Sequence, residues 1–210
     1  SPTIGVRGDA TREYLNGLGF RDVEVIGCPS MFRWGDTISV ERKAATIDEQ
    51  SNVAITISPY RAAMGSIAMA AHARYPRLTY FAQDLPTLGL MLDGTPLPAG
   101  APGSLLPVHP SHPFFREHRT RFYVDAWPWI DDLRDFDFSF GTRIHGTIAA
   151  LLAGTPAVVL AHDSRTLELA RYFDIPHRLL RDVPPDLDPA DLYAEADFTA
   201  LHAGHAGRFE

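Results

Sequence analysis

The chain has 210 residues, 45% of them hydrophobic and 21% charged, with 19 Lys plus Arg against 26 Asp plus Glu and a formal net charge of −7. That balance excludes a mostly disordered chain and a whole-surface affinity for nucleic acid, so any anionic ligand must be gripped by a local cluster of Arg and His. No apolar run reaches the roughly 18–20 residues of a membrane span, and a single cysteine, Cys28, excludes an internal disulfide framework and a cysteine-cluster metal site.

Short apolar strands alternate with helical stretches, the pattern of an α/β protein with a mostly parallel, Rossmann-like sheet flanked by helices. The chain starts at Ser1 and enters the apolar stretch Thr3-Ile4-Gly5-Val6 almost at once, which reads as a fragment of a longer protein. Thr3 to Arg7 reads as a strand, Ala10 to Gly17 as a helix and Val23 to Gly27 as a second strand. Met31 to Gln50 is mixed and poorly periodic, as a linker between lobes would be. Asn52 to Ser58 reads as a strand, and Pro59 suits the start of the helix Tyr60 to Tyr75. A strand follows over Arg77 to Ala82, then a helix over Leu85 to Leu92. Gly94 to Pro110 is a Pro- and Gly-rich loop with one short strand expected near Leu105.

The second half repeats the alternation. Thr120 to Val124 is predicted as a strand, Trp127 to Arg134 as a helix, Asp137 to Gly141 as a strand and Ile144 to Ala153 as a helix. Ala157 to Ala161 is a strand, Ser164 is expected to cap a helix running to Phe173, and Asp188 to Phe209 is mostly helical. The expected organisation is a lobe remnant with linker over 1–45, a Rossmann-like lobe over 46–185 and a helical segment over 186–210 that packs back on the body.

The most informative stretch is Gly141 to Arg165, which reads strand, tight turn, helix, strand, turn, helix. Parallel strands with right-handed crossovers bring both turns to the carboxyl edge of the sheet, where open α/β sheets bind ligands. Arg143 and His145 lie in the first turn, and Gly146 lets the backbone come close. His162 and Arg165 lie in the second. Two guanidiniums, an imidazole and helix N-termini at one edge make an anion site suited to phosphate or carboxylate. Arg7 follows a strand and precedes a helix, so it is a candidate to join them from a facing lobe. Tyr60 and Arg61 follow a strand at the same edge and are candidates for acceptor contact.

The stretch Phe138 to Gly146, with Arg143-Ile144-His145-Gly146 at its end, resembles the Ser-Arg-Leu/Met-His-Gly signature of the polysaccharide pyruvyl transferase family. The Ala-rich run closing in Gly154-Thr155-Pro156, the opening Ile4-Gly5-Val6-Arg7-Gly8-Asp9 and the segment Gly27-Cys28-Pro29-Ser30 resemble further parts of the same family, matching the later portion of a full-length member. Three departures stand out: Gly8 is inserted between Arg7 and Asp9, Gly141-Thr142 replaces the family's Ser, and Arg165 stands where many members have Lys.

The resemblance implies one lobe of a two-lobed, B-type glycosyltransferase fold. Its implied activity is transfer of the pyruvyl group of phosphoenolpyruvate to sugar hydroxyls of a polysaccharide as a ketal. It places Arg7, Arg143 and His145 around phosphoenolpyruvate, with His145 as candidate acid or base and Arg143 as a clamp, in a cytoplasmic step of exopolysaccharide synthesis. A sugar or polysaccharide precursor is the acceptor, and no cofactor or metal is called for. A nucleotide-sugar glycosyltransferase of the same fold and a phospho-ligand-binding lobe without turnover are the competing readings. The oligomeric state, a homo-oligomer included, stays open.

Other features read as structural. His109, His112 and His118 have a spacing a metal can use but sit in a Pro-rich loop. Trp127-Pro128-Trp129 suits either core packing or stacking on a sugar ring. Cys28 is expected to be a small buried hydrophobe.

Overall fold

A computed structural model describes residues 3–98 and 100–209. Ser1, Pro2, Ala99 and Glu210 lie outside the described residues, and with them the reading of the chain start and the outermost positions of the 1–45 and 186–210 segments.

The chain opens with β1 (Ile4–Val6), α1 (Asp9–Gly17) and β2 (Val23–Val25). These two strands pair in parallel as a sheet of their own, Ile4 opposite Val23 and Val6 opposite Val25. Among the described residues α1 buries no side chain. The unit leans on a distant part of the chain: the amide of Ala10 donates to Glu168 Oε1 at 3.3 Å.

The body contains β3 (Val53–Thr56), α2 (Ala63–Arg74), β4 (Thr79–Ala82), α3 (Leu85–Asp93), α4 (Pro113–Arg116), β5 (Thr120–Phe122) and α5 (Ala126–Leu133). It continues with β6 (Phe138–Gly141), α6 (Ile144–Leu152), β7 (Ala157–Ala161), α7 (Ser164–Tyr172), β8 (His177–Leu179), α8 (Pro189–Glu195) and α9 (Thr199–Phe209). Its six strands are parallel in the order β5-β4-β3-β6-β7-β8. The chain therefore runs outward from β3 in one direction, returns, and runs outward from β6 in the other, the doubly wound arrangement expected for Rossmann-like folds. β3, β6 and β7 are buried at every residue, as strands covered by helices on both faces must be. Phe138, Phe140, Phe81, Ile55 and Val159 make up much of this core, each contributing about 1.5–3 kcal/mol by leaving water.

The expected elements are present with shifted ends, and four readings change. Residues 31–50 are packed rather than a loose linker: Met31, Val40 and Ile47 are buried in the main core. Arg42 donates to the carbonyls of Ala194 and Ala196, and Lys43 Nζ to Phe136 O and Thr155 Oγ1. Leu105 lies in a bend instead of a strand. Asp163, not Ser164, caps α7, its Oδ1 accepting from Thr166 N at 2.8 Å. The final helical stretch divides in two because Asp197 Oδ1 takes the amide of Thr199 and restarts the helix. Strand β8, two of whose three residues are His177 and Arg178, had no strand signal in the sequence.

Candidate anion site at the switch point

The winding reverses between β3 and β6, so their carboxyl ends part and leave a crevice. Gly141 closes β6 at φ +140°, where a Cβ would fall 2.0 Å from Thr56 O. Its backbone freedom lets the chain turn against β3, and Thr142 then ties the two strand ends together. Thr142 N donates to Thr56 O, and Thr142 Oγ1 accepts from Ser58 N, both at 2.8 Å. One turn later a Cβ on Gly146 would meet Thr56 Cγ2 at 2.5 Å and Gln83 Nε2 at 2.7 Å. The close approach expected of Gly146 is thus to neighbouring protein, and it seats the start of α6 over the crevice.

A cleft of ≈ 120 Å³ lies there, lined among others by Ser58, Tyr60, Gln83, Arg143, His145, His162 and Arg165. Arg143, His145, His162 and Arg165 therefore meet as the sequence predicts. Arg7 does not line it; the side chain is exposed on the β1–α1 turn. The helices flanking the crevice, α2 and α6, have no side-chain cap, whereas α3 and α7 farther out are capped by Asp84 and Asp163. Of the two helix starts expected to greet an anion, only that of α6 is free of a capping carboxylate.

Arg143 is aimed by Asp84, whose Oδ2 accepts from its Nη2 at 2.9 Å. Asp84 Oδ1 meanwhile accepts from Thr87 N and Thr87 Oγ1, so one carboxylate starts α3 and holds the guanidinium. His162 is the most enclosed of the four, with its side chain 4% exposed. Burial pushes its pKa below the usual value, and the positive charges of Arg61, Arg143 and Arg165 push it the same way against the pull of Asp163. Arg143 and Arg165 line the cleft with His162, and Arg61 lines an adjoining cleft that shares His162. Neither ring nitrogen of His162 has a hydrogen-bond partner in the structure, and the same holds for Thr56 Oγ1, Ser58 Oγ, Gln83 Nε2, Arg61 Nε and Arg143 Nε. Buried polar groups rarely stay unpaired, so this concentration of donors and acceptors makes the crevice a candidate site for a polar ligand or ordered water.

Cys28 is buried as expected but is more than a small hydrophobe. Its Sγ lies 3.7 Å from His145 Nε2 and 2.8 Å from Ser30 Oγ. The hydrogen bond with His145 is the main reason its thiol falls from 9.0 to about 6, against the opposing effect of burial. Near neutrality the sulfur is largely thiolate, set against the histidine that borders the anion cleft. Sequence reading missed Asp84, Gln83 and this role of Cys28. Asp84 carries a local sign, the Asp-x-x-Thr of a helix cap; Cys28 carries none.

Among the described residues no group of three or more His, Cys, Asp or Glu is placed to hold a metal, His109 and His112 included. No described helix is long and apolar enough to cross a membrane. None of the curated proteins matches the chain. Residues 104–164, which run from the loop before α4 to the first residue of α7 and include Arg143, His145 and His162, match the family model described as polysaccharide pyruvyl transferase, and over that stretch the chain is similar to this family of transferases.

Proposed function

We propose that the protein transfers the pyruvyl group of phosphoenolpyruvate onto two hydroxyls of a glycan, forming a cyclic ketal. The observation that carries this reading is the placement of Arg143 and Arg165 with His162 in the switch-point cleft, with Arg61 in an adjoining cleft, beside buried polar atoms that lack partners. Phosphoenolpyruvate is a small ligand with two anionic groups and no apolar body. A cleft of ≈ 120 Å³ suits it, while sites for larger organic ligands run to about 300–1,000 Å³. The size of the cleft weighs against a nucleotide-sugar donor.

In the proposed reaction the arginines and the start of α6 hold phosphate and carboxylate. His145 gives a proton to the methylene carbon, C3, leaving an oxocarbenium-like centre at C2. A glycan hydroxyl bonds to C2 and releases its proton. The C2–O bond to phosphate breaks, its electron pair leaving with the phosphate. A second hydroxyl bonds to C2, loses its proton and closes the ring. Donor and diol thus yield ketal and hydrogen phosphate. His145 Nε2 faces Cys28 Sγ, which leaves Nδ1 for the substrate.

Thermal unfolding with phosphoenolpyruvate, inorganic phosphate and nucleotide sugars tests the donor. At a hundredfold excess over Kd, binding adds about 2.7 kcal/mol and raises Tm by roughly 5–10 °C at this chain length. The expected result is a rise with phosphoenolpyruvate, abolished in Arg143→Ala. That variant itself loses about 1–2 kcal/mol, because its quarter-exposed ion pair with Asp84 costs less to break than a fully buried one. A rise with nucleotide sugars alone would overturn the reading, and donor binding without phosphate release in the presence of glycan would reduce the protein to a binding lobe.

A further inference from the structure

His145 also borders a second cleft, of ≈ 340 Å³, lined by Ser30 and Arg33 of the turn after β2, Trp129 and Ile130 of α5, and Leu152 of α6. Its character is opposite to that of the anion site. Most of its wall is apolar, with a few polar groups set into it, the make-up of a site for a small organic molecule. Two of those groups are unsatisfied: Trp129 Nε1 and Arg33 Nε are buried without a hydrogen-bond partner. Nearby Trp34 shows how an indole N–H is satisfied here, donating to Leu152 O at 2.9 Å. Arg33 is held in place, its guanidinium carbon 3.4 Å from the ring centroid of Trp127, which in turn lies 5.5 Å from Trp34. Trp127 and Trp34 stand behind Arg33 rather than in the cleft wall and are 51% and 36% exposed.

The Trp129 ring with its unpaired indole N–H, a flat guanidinium stacked on Trp127 and a hydroxyl at Ser30 form a recognition set for a pyranose. The sugar's C–H face packs on rings while its hydroxyls pair with N–H donors. We propose that this cleft is the acceptor subsite and takes one neutral pyranose unit of the glycan, with its vicinal or 1,3-related hydroxyls turned toward His145. The proposal rests on the transferase reading: His145 is the side chain shared by the two clefts, so a donor in one and a sugar in the other meet at the group that moves the proton.

The test is saturation-transfer NMR and tryptophan fluorescence with methyl pyranosides of glucose, galactose and mannose and with lactose. Wild type is compared with Trp129→Phe, which keeps the ring and removes the N–H, and with Arg33→Gln, which serves should the first variant fold poorly. The expected result is binding of at least one of these probes, weakened tenfold or more in either variant, with phosphoenolpyruvate binding unchanged. Absence of binding by every probe, or binding that both variants retain, overturns the proposal. So does binding of free nucleosides in place of sugars, which would make the rings a base-stacking platform. Sugar binding that depends on Trp129 in a protein that ignores phosphoenolpyruvate would sink the donor assignment and leave this subsite standing.

Discussion

The two sheets of this protein have strands of the same type and opposite surroundings. β3, β6 and β7 are buried at every residue, whereas β1 and β2 contribute one buried side chain, Val6, and helix α1 beside them contributes none. Ile4, Tyr14, Leu18, Phe20 and Ile26 keep apolar surface in water. Parallel strands are ordinarily covered on both faces, so the small sheet depends on its neighbours far more than the large one does. What fixes it to the body is local: Ala10 on Glu168, and the Cys28 thiolate on His145. The large sheet sets the geometry of the anion site, and the small one delivers a single sulfur to its rim.

The sharpest way to break that contrast is to remove packing on each side of it. Phe140→Ala, at 1% exposure, is expected to cost about 3–5 kcal/mol in denaturant unfolding, and Tyr14→Ala, at 67%, less than about 0.5. Equal losses would mean the small sheet belongs to the same cooperative core. Next comes the histidine where the two regions touch. His145→Gln is expected to lower turnover about 100-fold while phosphoenolpyruvate affinity changes less than about threefold, read from steady-state rates and a binding titration. Normal turnover would return His145 to a structural role.

The smallest effect concerns Cys28. Its folded pKa, about 6, lies below the ordinary thiol value of 9.0. The unfolded chain therefore holds the proton over that interval, and the thiolate adds stability that is complete above pH 9 and lost as pH falls to about 6. Cys28→Ser should flatten the stability profile between those limits and leave it unchanged below pH 6. An unchanged slope would show that the sulfur is not ionised against His145.

Local pattern decided what could be read from the sequence alone. Ala157 to Ala161 is an unbroken apolar run between Gly154-Thr155-Pro156 and His162-Asp163, and its ends are located to the residue. His177-Arg178-Leu179 is short and half polar, so only its neighbour β7 makes it a strand. The same division runs through the site. Arg143, His162 and Arg165 follow from one strand-turn-helix-strand-turn unit. The pairing of β3 with β6, 85 residues apart by its register (Val53 with Phe138), is what brings Ser58 and Asp84 to them, and no local signal announces that pairing; Arg61 is placed at this edge by its own strand. The bridge from Cys28 to His145 spans a still longer separation and depends on the packed turn after β2.

Asp84 binds the start of α3 with one oxygen and Arg143 with the other. Coupling between two such attachments is reciprocal. An anion that draws the guanidinium toward itself must change how firmly the carboxylate holds the first turn of α3, and any fraying of that turn must change the affinity for the anion by the same factor. The exchange rate of the Thr87 amide hydrogen thereby becomes a reporter of occupancy, placed on a helix joined to the cleft through the aspartate that holds Arg143.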